Sequence, residues 1–433
     1  MTPTVIGIFG VLALVVLLVC SLPVAVAMAL VGVAGYALVI SGRAALAMLS
    51  ADLYDVFANY NLTVIPLFVF MGQIAFHSGI SRRLFAAANS WLSGLRGGLA
   101  MATVGACAAF GAICGSGPAT AATMAAVALP QMKRFRYDPG FAAGTVAAGG
   151  SIGMLIPPSV VLIVYGVMTE QSIGKLFLAG IVPGVIVSLL FMATVWGLCR
   201  RNPALAPPAA AVTWGQRLRS LSGVVEILLL FALVMGGMFG GWFTPTEAAA
   251  VGAAGSVGIA LLLRKCSVRM LATALGETLR TSCMVLVIVA GATVFGHFLQ
   301  VTNVPTELAA WLAGLPLPPA GIMLVILLFY LVAGAFLDAL ALVLLTIPIF
   351  YPVVLGLGFD PIWFGVMIVL VTQMGVLSPP VGVNVYVVSG MDRAVSLQSV
   401  FKGALPYLAA LVVAALLLLL LPQLVLAPVA WLE

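Results

Sequence analysis

Oxygen-bearing side chains stand beside glycine or proline at four points inside otherwise apolar stretches. These are Gly115-Ser116-Gly117-Pro118, Gly149-Gly150-Ser151 leading to Pro157-Pro158, Phe336-Leu337-Asp338-Ala339, and Thr372-Gln373-Met374-Gly375 leading to Ser378-Pro379-Pro380. Glycine and proline interrupt helices, and an interrupted helix leaves carbonyl oxygens without intrahelical donors. Those carbonyls, at Gly150, Gly153 and Gly375 among others, join the hydroxyls of Ser116, Ser151, Thr372 and Ser378 and the carboxylate of Asp338. Together they form a ligand set for a hard cation. Each interruption also creates a helix N-terminus, whose N–H groups and positive dipole end attract an anion. On that ground Gly117, Pro118, Thr120, Pro158, Ala339, Pro380 and Asn384 are candidate contacts to an anionic substrate. One site can hold both ion and anion.

Each of these residues also has a simpler reading. Asp338 in mid-membrane is costly and marks function by default, yet Asp is also a preferred helix N-cap. The hydroxyls of Ser116, Ser151, Thr372 and Ser378 are equally suited to satisfying carbonyls at a helix break. Glu226, Glu247 and Glu277 stand near the ends of apolar spans and read as interfacial. His77 and His297 lack ligand spacing, so packing is preferred to metal binding. The six cysteines contain no CxxC pair and read as small apolar filler. Gly149-Gly150-Ser151-Ile152-Gly153 formally matches G-x-S-x-G, but a nucleophile elbow needs a strand-turn-helix context that an apolar helix lacks. There is no HExxH and no P-loop, so neither enzymatic catalysis nor ATP-driven work is expected of this chain.

The elements that must position these residues follow from composition. With 64% hydrophobic and 7% charged residues over 433 positions, the chain cannot clothe a water-facing surface, which takes about 25% charged residues. It has room for about ten to twelve membrane segments. The net charge of +6 sits in short clusters between apolar runs, an orientation signal rather than a nucleic-acid surface. The N-terminus lacks a basic region and a cleavage site and reads as a retained helix. Residues 3–40 suffice for two crossings broken near Pro23. Segments 42–60, 82–96 and 265–280 mix charges with apolar residues at helical spacing, as interfacial helices do. Residues 200–220, rich in proline and arginine, read as an aqueous loop between two halves.

The halves repeat. A shift of 222 positions lays Pro130 on Pro352, Asp138-Pro139 on Asp360-Pro361, Gly153 on Gly375 and Pro157-Pro158 on Pro379-Pro380 without a gap. It also lays Ser116 on Asp338. Arg96 and Lys133, Arg134 and Arg136 put both ends of the stretch 98–130 in the cytoplasm. The break at 114–118 favours a re-entrant hairpin, although two full crossings satisfy the charge rule too. The matching stretch in the second half is flanked by Leu315 to Pro319 and Leu355 to Asp360, without Lys or Arg, so its ends lie outside. The broken helix after it then runs toward Arg393 on the inside. The expected fold is therefore all-α and polytopic, with inverted repeats that each carry a hairpin and a Pro-broken helix. Its parts are scaffold helices at 1–97, a first repeat at 98–199, a cytoplasmic loop at 200–220, scaffold and interfacial helices at 221–319, a second repeat at 320–392 and a C-terminal helix at 393–433.

Several of these stretches resemble a known family. They are GSGPATAATM at 115–124, GGSIGMLIPP at 149–158, IGKLFLAGIVP at 173–183, the run from Phe336 to Phe350, and TPTEAAA at 244–250. They are similar to the large membrane subunit of tripartite ATP-independent periplasmic (TRAP) transporters, the DctM-like proteins. The resemblance implies a bacterial inner-membrane symporter of the elevator type, coupled to sodium ions and without another cofactor. It also implies two partners, a small four-helix membrane subunit and a periplasmic substrate-binding protein that delivers a carboxylate substrate. The first hairpin tip reads Gly-Ser-Gly-Pro where many relatives carry Gly-Ser-x-x-Ala-Asp, a departure that removes a polar side chain from that ion site. A stand-alone sodium/carboxylate symporter of similar architecture is the alternative, and a passive channel fits two proline-broken hairpins less well.

Overall fold

A computed structural model describes residues 2–207, 213–221, 224–314, 316–392 and 394–430, and these are α-helical with short 3-10 turns. Part of the expected 200–220 loop, together with Leu315 and Arg393, lies outside the described residues. Among the described residues, six helices are individually long and apolar enough to cross a membrane: Tyr60–His77, Ile173–Arg201, Pro245–Leu262, Val268–Val301, Ala339–Gly356 and Leu397–Leu420. The N-terminal stretch divides at Pro23 into Pro3–Val19 and Val24–Val39, because proline cannot continue the first helix but can cap the second. Ser41 caps Gly42–Ala58 by accepting the Ala44 N–H at 3.2 Å.

One expectation needs correction. Residues 265–280 are not a separate interfacial helix; from Val268 they are the first half of a continuous helix of 34 residues, Val268–Val301. No proline falls between Ser267, which caps the helix through the Met270 N–H, and Thr302 at its far end. The amphipathic segment therefore runs straight into the apolar one. This long helix holds the N-terminal helices in close register. A Cβ on Gly291 would lie 2.4 Å from the Ala25 carbonyl oxygen, and one on Gly35 would lie 2.3 Å from Phe298.

The repeat is present as structure. The first hairpin has arms Gly98–Cys114 and Gly117–Arg134, followed by a helix broken into Pro139–Ser151 and Val160–Met168. The second has arms Pro319–Gly334 and Ala339–Gly356, followed by Pro361–Gly375 and Val383–Met391. Shifted by 222, the bounds of Gly117–Arg134 fall on those of Ala339–Gly356. The helix starts match in chemistry as well. Asp138 caps the first broken helix through the Phe141 N–H at 2.8 Å, and Asp360 caps the second through Ile362 and Trp363 at 2.8 and 3.0 Å.

The long helix serves as a ruler for the orientation of the hairpins. Both tips face its segment from Arg280 to Ile288. From there the second hairpin extends toward the Val301 end, since Pro348 lies against Gly296. The first extends the other way. Its tip touches Gly72 of Tyr60–His77, whose end at His77 bonds Glu277, and its base at Gly98 abuts Leu92 of the following helix, Ile80–Leu92. The hairpins therefore approach each other from opposite ends, as the charge distribution predicts. Arg264, Lys265, Arg269, Arg82, Arg83 and Arg96 belong to the end where the first hairpin is rooted, which makes it the cytoplasmic end.

The repeats interlock. Gly117–Arg134 of the first packs on Val383–Met391 of the second, and Ala339–Gly356 of the second packs on Val160–Met168 of the first. Hydrogen bonds cross the same seam, from Asn384 Nδ2 to the Ala147 carbonyl at 3.2 Å and from the Tyr165 hydroxyl to the Pro361 carbonyl at 2.6 Å. The C-terminal helix Leu397–Leu420 lies on Pro139–Ser151, where Gly144 and Gly403 bring the backbones together and Thr145 bonds Tyr407 at 2.7 Å.

Candidate functional site

Each hairpin tip is tied to the broken helix of its own repeat by one backbone hydrogen bond. Val160 N–H donates to the Gly115 carbonyl at 3.3 Å, and Val381 N–H donates to the Ala335 carbonyl at 3.2 Å. Just behind each tip a pair of glycines brings the two backbones into contact. A Cβ on Gly111 would lie 2.5 Å from Gly153 Cα, and one on Gly375 would lie 2.4 Å from the Gly334 carbonyl carbon. Glycine is required at these crossings because any side chain meets backbone that has nowhere to move.

Both tips open onto one cavity of about 840 Å³. Ser116, Gly117 and Pro118 line it from the first tip, and Asp338 and Ala339 from the second. The half-helix starts at Gly117 and Ala339 thus share one space. Asp338 accepts the Leu340 N–H at 3.1 Å, so the capping role expected as its simpler reading is present, while the residue as a whole remains exposed to the cavity. Ser116, its counterpart, makes no capping bond through its side chain.

The other candidates sit behind the tips and off the cavity wall. Ser151 and Thr372 are fully buried and donate to carbonyls of their own helices, Ala148 and Val369, both at 2.8 Å. Ser378 donates to the Met374 carbonyl at 2.7 Å. Gly150 packs on Ala121, Gly153 on Thr120, and the Pro158 carbonyl backs onto Gly115. Pro380 is exposed, and Asn384 is buried in the inter-repeat seam. The carbonyls freed by the prolines have largely found donors. Met154 accepts from the Ser159 hydroxyl, Gly375 from Ser378 N–H, and Val376 from Asn384 N–H. Each keeps only its second lone pair for anything else.

Among the buried side-chain polar atoms that lack partners within the described residues are the Thr120 hydroxyl, the Asn384 side-chain oxygen and both ends of the Gln373 amide. Leaving such a group unpaired costs about 1–3 kcal/mol. Gln373 was not singled out from the sequence, although an amide within an apolar run was a visible signal. Gln73 and Arg280, which line the same cavity from helices outside the repeats, were also missed. Arg280 was hidden because its segment read as interfacial.

The histidines and three of the glutamates are held in polar pairs or caps. His297 bonds Asp52 at 2.9 Å, His77 bonds Glu277 at 2.9 Å, Arg83 meets Glu226 at 3.4 Å, and Glu247 completes a capping box with Thr244.

Comparison with known proteins decides the family. The profile described as "Tripartite ATP-independent periplasmic transporter, DctM component" matches residues 11–424. The chain belongs to the DctM family of TRAP transporters. It is thus a multi-pass inner-membrane permease, the large membrane component of an ATP-independent transporter, and not an enzyme. It is 37% identical to a C4-dicarboxylate TRAP transporter large permease of Pseudomonas aeruginosa over 89% of this chain and 90% of that one. It is 34% identical to a sialic acid TRAP transporter large permease of Vibrio cholerae, over 84% and 85%. An isethionate TRAP transporter permease, DctMQ, of Oleidesulfovibrio alaskensis is 36% identical over 95% of this chain and 64% of its own length. Among solved structures, the YdaH transporter of Alcanivorax borkumensis shares the fold, with a TM-score of 0.59 at 16% identity over 89% of this chain and 90% of that one. MtrF of Neisseria gonorrhoeae does so with a TM-score of 0.54 at 15% identity, over 86% and 83%.

Proposed function

We propose that this DctM-family permease imports a small organic anion together with sodium ions, acting with a small membrane subunit and a periplasmic binding protein. The observation that carries this reading is the cavity shared by the two hairpin tips. Two half-helix starts, at Gly117 and Ala339, offer N–H donors to an anion, and the carboxylate of Asp338 offers an oxygen to a cation. Its volume suits a small metabolite. The cargoes named for the three relatives are C4-dicarboxylate, sialic acid and isethionate, and all are anions. In this reading sodium, bound near Asp338 and the helix breaks, offsets the charge of the anion. The interlocked repeats move as one body against the helices around Val268–Val301, as in an elevator.

The test is reconstitution of the permease with its small subunit in proteoliposomes, with the binding protein outside and radiolabelled succinate as cargo. Isethionate and N-acetylneuraminate serve as parallel cargoes. Uptake of one of them that requires both an inward sodium gradient and the binding protein is the expected result. Uptake independent of sodium contradicts the proposal, and sodium-driven uptake without the binding protein makes the chain a stand-alone symporter.

A further inference from the structure

We infer that Arg280 is the positive partner of the transported anion on the cytoplasmic side of the permease. The inference rests on the reading that the shared cavity takes an organic anion.

Arg280 is exposed and lines the cavity. Among the described residues it makes no ion pair and no hydrogen bond. Glu277, one turn away on the same helix, is engaged by His77 at 2.9 Å. Asp338 lines the same cavity but forms no ion pair with Arg280. Gln73, on the neighbouring helix Tyr60–His77, also lines the cavity and has no hydrogen-bond partner among the described residues. The helices outside the repeats thus present a guanidinium and an amide, both unengaged among the described residues, within a lining that is otherwise mostly apolar. An unpaired charge at the edge of a membrane span is costly, and such groups mark the path of an ion or a substrate.

The chemistry is selective. A guanidinium offers parallel N–H donors that match the two oxygens of a carboxylate or the oxygens of a sulfonate. Arg280 belongs to the long helix, whereas Gly117 and Ala339 belong to the repeats. An anion held by both would bridge two bodies, so the contact exists only while they are in register. Because the Arg280 end of the long helix carries Arg269 and is preceded by Arg264 and Lys265, that register is the cytoplasm-facing one. Arg280 therefore draws the anion off the tips toward the cytoplasm, and Asp338 stays free for sodium.

Cys283, one turn beyond Arg280, is an exposed native thiol in the same cavity and serves as the reporter. The other cysteines are replaced by alanine, and labelling is measured in inside-out membrane vesicles with anionic (MTSES) and cationic (MTSET) thiosulfonates. With Arg280 present the anionic reagent is favoured. Arg280→Gln should lower the anionic-to-cationic rate ratio by about fivefold or more, and Arg280→Lys should preserve it. An unchanged ratio overturns the inference by placing the charge away from the cavity. In the same vesicles with sodium present, succinate, isethionate or N-acetylneuraminate should slow labelling of Cys283, and Arg280→Gln should weaken that protection about tenfold in concentration. Equal protection in both proteins overturns the inference alone. No protection in either overturns it together with the function proposed above.

Discussion

Ser116 and Asp338 occupy the same place in the two hairpins, each immediately before the second arm, and both face one cavity, but only Asp338 caps its helix through its side chain. The repeats have kept a backbone in common and diverged in side chain at the point where they meet. One tip offers a hydroxyl and the other a carboxylate, so the site is symmetric in architecture and asymmetric in charge.

The glycine crossings set the closeness of tip and helix break. Gly375→Ala places a methyl group 2.4 Å from the Gly334 backbone. Overpacking of this kind costs about 1–3 kcal/mol. The variant should melt at a lower temperature in detergent and lose most uptake. Gly258→Ala, whose Cβ meets nothing within 4 Å, is the counterpart and should be neutral or stabilised by up to about 1 kcal/mol. Equal behaviour of the two variants would remove the packing argument.

Inversion of the repeats is open to a direct labelling assay. Phe135 follows the first hairpin and Leu317 precedes the second, and both are exposed. Single cysteines at 135 and 317 in a cysteine-free background should react with an impermeant maleimide from the cytoplasmic and periplasmic sides respectively. Reaction of both from one side would show that the hairpins share a direction.

Gln373 carries a buried amide with neither end bonded among the described residues. Gln373→Leu removes that desolvation cost at similar volume and should raise stability by about 1–2 kcal/mol. If the amide serves an ion or the moving cycle, the more stable protein will transport more slowly. A stabilised variant with full uptake and an unchanged sodium requirement would show that the amide has no functional role.

Much of this arrangement was legible in the sequence, and the reasons are physical. Proline and glycine act locally, so Pro23, Pro157-Pro158 and Pro379-Pro380 marked real interruptions, and the Asp-Pro pairs at 138 and 360 marked real helix starts. Charge placement gave the inverted directions of the hairpins. Periodicity misled at 265–280, where an amphipathic pattern continued into a spanning helix without a breaker. The donors that occupy the carbonyls of Met154 and Val376 lie five and eight residues further along the chain, a distance that local helix rules do not cover. Gln73 and Arg280 line the cavity from helices remote in sequence, so only the folded chain could bring them to the site.

The central claim is that the carboxylate of Asp338, not merely its capping oxygen, couples sodium to uptake. Asp338→Asn keeps an oxygen that can accept the Leu340 N–H, whereas Asp338→Ala forfeits the cap and about 1 kcal/mol of stability. The decisive measurement is the sodium dependence of uptake in proteoliposomes for wild type, Asn and Ala at matched amounts of inserted protein. The account predicts that Asn melts like the wild type, yet loses sodium-driven uptake at least tenfold, as Ala does. Full sodium-driven uptake by Asn alongside a failed Ala variant would contradict it and leave Asp338 as a helix cap.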